Sequence, residues 1–228
     1  MTPKGKLAAG TTRLETLSDG VFAIAMTLLV LDLRPPARQG TTLAKGLADQ
    51  WPAYVGFVAS FLFIAVVWTN HHATFREIHS TDRGLTWANL GILFGTVLLP
   101  FPTAVLADAF RGGIRADEQT AACLYAALAV LMTLAWLGLF FRLDRRSYPG
   151  PIDARLAPWR TQMLRPIVGS LGYTLGALLG FVIAPTLSLI LFVAVPLYYA
   201  VTSEGLRGDA DPGEVLDAGH RRPLRRDA

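Results

Sequence analysis

The sequence predicts an all-α integral membrane protein that crosses the bilayer six times, and three observations predict it. First, 52% of the 228 residues are hydrophobic and only 17% are charged, against roughly a quarter charged in soluble domains. Second, the apolar residues come in long runs, and a spanning helix needs about 20 of them. Third, Lys and Arg gather between the runs. If the runs alternate in direction, sixteen of the twenty-one fall on one side and five on the other. That bias accounts for the net charge of +4 by topology. The lipid bilayer is therefore an expected partner and nucleic acid is not.

The first span covers about 15–34, the second 51–75, the third 85–108 and the fourth 118–141. The last two, 165–184 and 186–202, are separated by a tight break at Pro185. Pro100 and Pro102 are expected to bend the third span. Gly172, Gly176 and Gly180 repeat every four residues in the fifth and suit close helix contact. With six spans both termini share a side, and the Lys/Arg excess makes it the cytoplasm. Residues 1–14 are then a cytoplasmic N-terminus and 15–202 the membrane domain. The loop 142–164 is basic and is expected to hold a short interfacial helix around Trp159. Residues 203–228 mix charge, Gly and Pro without apolar period and read as a disordered tail. A cleaved signal peptide is not expected: the first run starts late, runs into Asp32-Leu33-Arg34-Pro35-Pro36 and lacks a small-x-small site. The one cysteine, Cys123, sits in an apolar run and can form neither an internal disulfide nor a Cys-based metal site.

Leu17-Ser18-Asp19-Gly20 opens the first span with a carboxylate. At 100° per residue Ile24, Leu28 and Leu31 share one face, with Gly20 and Thr27 beside them. Ser18, Asp19, Phe22, Met26 and Leu29 fall on the other. One face is aliphatic with one hydroxyl; the other carries the acid. The aliphatic stripe by itself suits lipid or helix packing. The acid is another matter, because a carboxylate in a span costs about 2.5–3.5 kcal/mol on insertion scales and so faces the bundle. Its candidate partners share its depth. The second span ends Trp68-Thr69-Asn70-His71-His72, and the third begins with Trp87 and Asn89. A hydrogen-bonded network is expected there, with Arg13 as counter-charge. The two histidines also leave open a proton relay with Asp19. A metal pair is disfavoured, since adjacent helical residues point about 100° apart and no third ligand is near.

Arg13-x-x-x-Leu17-Ser18-Asp19-Gly20, continuing Val-Phe-Ala-Ile-Ala-Met-Thr, resembles the first-helix motif of the endosomal and lysosomal potassium channel family, transmembrane protein 175, in its bacterial form. Trp68-Thr69-Asn70-His71-His72 and Leu99-Pro100-Phe101-Pro102-Thr103-Ala104 agree in order, over about the first half of the chain. The family's Phe is Leu17 here, which loses an aromatic ring and keeps bulk. The resemblance implies a homotetramer of six-helix subunits in a prokaryotic plasma membrane, with four first helices around a pore and permeant K+ ions in it. It implies a hydrophobic constriction or gate at Ile24, a potassium-linked layer at Thr27, and pore lining by Leu28 and Leu31. Arg13, Ser18, Asp19, Trp68, Asn70, His71, His72, Trp87 and Asn89 would hold the helices together. Glu15 and Asp32 are candidate charges at the pore mouths. No cofactor or metal is implied.

The chain lacks the TVGYG loop that supplies carbonyl filters, so any selection must use side chains. Two rivals remain. A proton-permeable channel or proton-coupled transporter would use Asp19 with His71 or His72, though transporters usually show inverted repeats and broken midplane helices, seen in neither half here. A membrane enzyme would need a nucleophile motif, and none is recognisable.

Overall fold

The computed structural model describes residues 3–36, 40, 42–78, 81–146 and 157–202. The 203–228 tail and part of the 142–164 loop lie outside them. Among the described residues the chain is helical throughout: α1 (Pro3–Leu28), α2 (Leu43–Ala48), α3 (Trp51–Arg76), α4 (Arg83–Leu98), α5 (Pro100–Gly112), α6 (Arg115–Arg146), α7 (Ala157–Val182) and α8 (Thr186–Thr202). Five stretches are long and apolar enough to cross a bilayer: Thr11–Asp32, Trp51–Arg76, Arg83–Gly112, Arg115–Leu143 and Met163–Val182. The sixth, Thr186–Thr202, has 17 residues, which stands at the lower end of the spanning range. The chain is a multi-pass membrane protein.

Three local differences from the sequence reading have physical causes. First, α1 begins at Pro3, so the helix projects past its apolar run instead of starting with it. It also ends early, tightening at Leu29–Asp32 into a 3-10 turn before Pro35 and Pro36, which cannot continue a helix. Second, Trp159 lies in the first turn of α7 rather than in a separate interfacial helix. Third, the third span is two helices. Pro100 brings no N–H, so the ladder tightens ahead of it: the Leu99 amide bonds the Thr96 carbonyl at 3.2 Å. The Leu99 carbonyl then takes both the amide of Thr103, at 3.2 Å, and its hydroxyl, at 2.7 Å.

The core lies where α3 meets α5 and α8 and where α6 meets α4 and α7, and α1 is laid against α3 and α4. Phe22, Leu29, Ile64, Leu85, Ile92 and Tyr125 are fully buried in it. The repeated glycines of α7 face α8. A Cβ at Gly172 would lie 2.8 Å from Val195, and at Gly180 it would collide with Ser188. The two helices thus approach closely across the tight Pro185 corner, and Ser188 closes the contact by donating to the Gly176 carbonyl at 3.0 Å. Asp82 caps α4 by accepting from the Leu85 amide at 2.7 Å and pairs with Arg142 of α6 at 3.6 Å, tying the α3–α4 turn to the far end of α6.

Candidate functional site: the two faces of α1

The subunit leaves one face of α1 bare. Ile24 is 60% exposed, Leu31 65% and Leu28 40%, with Thr27 and Gly20 also exposed. The opposite side is sealed: Ser18, Phe22, Ala25 and Leu29 are buried. The division follows the wheel. Apolar residues on both sides let α1 pack either way, and the hydrogen-bonding groups decide which side turns inward.

Those groups form a buried chain across three helices. The Asn89 side-chain amide of α4 donates to Ser18 Oγ at 3.1 Å, and its carbonyl meets His71 Nε2 of α3 at 2.7 Å. Ser18 donates in turn to the Leu14 carbonyl at 2.8 Å. Asn89 is suited to the centre because its amide offers both donors and an acceptor. The His71 ring is clasped by aromatics, stacked on Phe75 at 4.1 Å and edge-on to Phe22 at 5.3 Å. Closer to the surface, Trp68 Nε1 donates to Asp19 Oδ1 at 2.9 Å, and the His72 ring stacks on Trp68 at 6.1 Å. Asp19 is held by α3 away from Ile24, but it stays exposed rather than facing the bundle interior as expected, its charge left in contact with the surroundings at the helix edge.

Not every expected member joins. Arg13 is exposed and makes no ion pair with Asp19; six residues along a helix leave them about 9 Å apart in rise and about 120° apart in direction. Trp87 is 73% exposed, turned out because Asn89, two residues on, turns in. Asn70, about 100° round α3 from His71, instead lines a cavity shared with α6, α7 and α8. Neither candidate mouth charge lies on the bare face. Glu15 is half-buried, and nine residues put it on the opposite side of α1 from Ile24. Asp32 is half-buried in a side cavity with Arg34, Asp49, Gln50, Asp108 and Arg111. Thr27 donates its hydroxyl proton to the Ile24 carbonyl at 2.8 Å, so its remaining lone pairs point outward.

A second polar cluster escaped the sequence reading. Ser60 Oγ lies 2.6 Å from Thr103 Oγ1 and 2.9 Å from Tyr125 Oη, joining α3, α5 and α6 in the buried core. The only signal for it was Thr103 after the paired prolines; Ser60 and Tyr125 read as ordinary members of apolar runs.

A polytopic helical bundle whose first helix is bonded on its polar side and bare on its aliphatic side defines a membrane subunit with one helix face open to lipid or to a partner. The family profile described as endosomal/lysosomal potassium channel TMEM175 matches residues 13–100. A potassium channel of Streptomyces collinus is 42% identical over 190 residues, covering 82% of this chain and 90% of that protein. The endosomal/lysosomal proton channel TMEM175 of Danio rerio is 29% identical, over 60% of this chain and 28% of the fish protein. The crystal structure of a lysosomal potassium-selective channel TMEM175 homolog from Chamaesiphon minutus superposes with a TM-score of 0.68 at 30% identity, covering 85% of this chain and 97% of that one. The chain belongs to the TMEM175 family.

Proposed function

We propose that the chain is a potassium-selective cation channel of a prokaryotic plasma membrane, formed by four copies with α1 of each around a central pore and both termini in the cytoplasm. The observation that carries this reading is the bare Ile24–Leu28–Leu31 face on a helix whose opposite side buries Ser18, Phe22, Ala25 and Leu29. Four such faces converging on an axis give a dry neck at Ile24. A cation entering it sheds part of its hydration. The larger potassium ion holds water less tightly than sodium, so the neck favours it, and the outward lone pairs of Thr27 replace part of the lost shell. Selection is modest because no carbonyl cage surrounds the ion. The names of the bacterial relatives agree with this reading.

Reconstitution into liposomes with opposed potassium and sodium gradients tests it. The reversal potential should lie toward the potassium equilibrium value; a value at the sodium side, or no passive current, would refute the reading. Ile24→Asn should wet the neck and raise sodium leak, and an unchanged ratio would remove Ile24 from the role. Cysteine cross-linking along α1 should trap a tetramer.

Proton permeation is a second reading, favoured by the naming of the vertebrate relatives as proton channels. It would share the same pore. The bonding of Asp19 to Trp68 and of His71 to Asn89 supports a structural role for these groups over a proton relay.

A further inference from the structure

A cavity of about 540 Å³ opens where the segment after α1, the helix α2, the start of α3 and the end of α5 meet. Sites for whole small molecules span roughly 300–1,000 Å³. Close packing sets one wall. A Cβ at Gly46 would lie 2.8 Å from the Pro36 Cβ, so α2 rests directly on Pro36.

Gln50 marks the cavity as unfinished. It stands in the capping position of α3, yet its side chain makes no capping bond. It is 8% exposed and lines the cavity. Among the described residues nothing hydrogen-bonds its side-chain amide. Buried side-chain polar atoms are nearly always bonded, so the partner of this amide belongs in the cavity.

The charges around it say what kind of partner. Three carboxylates and two guanidiniums line the space: Asp32, Asp49, Asp108, Arg34 and Arg111. Arg111 pairs with Asp108 at 3.5 Å, and the charge of Arg34 acts on Asp32. Asp49 has no ion pair among the described residues. The unmatched charge is therefore negative, and it belongs to the residue next to Gln50. A carboxylate accepts only, and the Gln50 amide has an oxygen that accepts beside it; an ammonium brings three donors and no acceptor. A bare metal ion fits less well, because no three carboxylates among the described residues are placed to hold one. The remaining walls, Pro35, Pro36, Ala104 and Ala107, offer apolar surface to a carbon body.

We propose that this cavity binds a small water-soluble primary ammonium compound, its N–H groups bonded to the Asp49 carboxylate and the Gln50 carbonyl and its carbon body against the two prolines. The ligand would lie at the end of the bare face of α1, since Asp32 follows Leu31 directly. The proposal rests on the cavity and not on conduction, and its test needs no ion flux.

The test is calorimetric titration of the full chain in detergent, with empty micelles as blank, against four compounds that share a phenyl body. Phenethylammonium carries the charge and the donors. Its trimethylated form keeps the charge without N–H groups, phenylalanine is a zwitterion and hydrocinnamate an anion. The wild type should bind phenethylammonium, and the trimethylated form about tenfold more weakly, as the loss of hydrogen bonds to a charged group requires. Asp49→Asn should weaken phenethylammonium by at least about tenfold. Gln50→Leu should weaken it without lowering the melting temperature, because the amide bonds nothing in the subunit. Gln50→Glu adds a second negative charge and should tighten it. Equal affinity for the trimethylated form overturns the proposal, as does tighter binding of phenylalanine or hydrocinnamate. Wild-type affinity in Asp49→Asn or Gln50→Leu also overturns it. No binding of any of the four overturns it too, and leaves the cavity to water.

Discussion

The two buried polar clusters solve the same problem with different chemistry. The inner one, Ser18–Asn89–His71, fastens α1 to α3 and α4 through an amide and an imidazole. The deeper one, Ser60–Thr103–Tyr125, fastens α3 to α5 and α6 through three hydroxyls. Hydroxyls rotate to suit their neighbours and each both donates and accepts, and Thr103 keeps the Leu99 carbonyl whichever neighbour is lost. Asn89 has two different partners at fixed positions and no substitute. The first cluster bears on α1, the proposed pore helix; the second holds the scaffold behind it.

That contrast can be broken at Asn89. Asn89→Ala should orphan His71 and leave Ser18 with the Leu14 carbonyl alone, and destabilise the assembly by about 1–3 kcal/mol, the cost of one buried group left unpaired. Potassium flux should fall as well, because α1 loses its hold. A melting temperature and flux like wild type would show that α1 is held by apolar packing alone. Ser60→Ala leaves Thr103 its Leu99 carbonyl but takes the partner of the buried Tyr125 hydroxyl, so it too is expected to cost about 1–3 kcal/mol. Its potassium-to-sodium ratio should be unchanged. If selectivity shifts in this variant, the scaffold cluster reaches the pore and the division drawn here fails.

Asp19→Asn sharpens the comparison at the exposed edge of the inner cluster. The amide oxygen still accepts from Trp68 Nε1, so stability and flux should stay near wild type, whereas Asp19→Ala should lower both. A transport cycle that needs the acid's proton predicts instead that Asp19→Asn is dead, which liposome flux would show directly. The smallest effect is expected for Tyr125→Phe. Ser60 keeps Thr103 as partner, and the ring keeps its stack on Phe192 at 4.7 Å, so the melting temperature should move by no more than one weak hydrogen bond requires.

Much of the fold was legible because membranes make sequences blunt. Backbone groups must be bonded within each span, so apolar length alone marks helices, and Pro100 and Pro185 stand where spans break or turn. The faces of α1 were legible in part: Ser18 turns inward with Phe22 and Leu29, whereas Asp19 bonds Trp68 at the exposed edge of that face. The members of the inner network were read from depth, and depth does not give direction. Trp87 and Asn89 share a level, yet 200° of helix separates them, so one is exposed and the other buried. Asn70 and His71 are neighbours that face different ways: Asn70 lines a cavity, and His71 is buried against Asn89. Asp32 was placed at the mouth as if α1 continued straight, but the 3-10 turn carries it into a side cavity.

The sequence by itself determined where the apolar spans lie and the split of α1 into an aliphatic and a polar face. Each of these depends on residues close together along one helix or on the cost of placing charge in hydrocarbon. Only the tertiary structure decided which neighbour receives each polar group, that three hydroxyls from distant runs meet at Ser60, and that a cavity opens beside Gln50. Those depend on how whole helices rotate and cross, and that is settled by the packing of many side chains at once rather than by any local pattern.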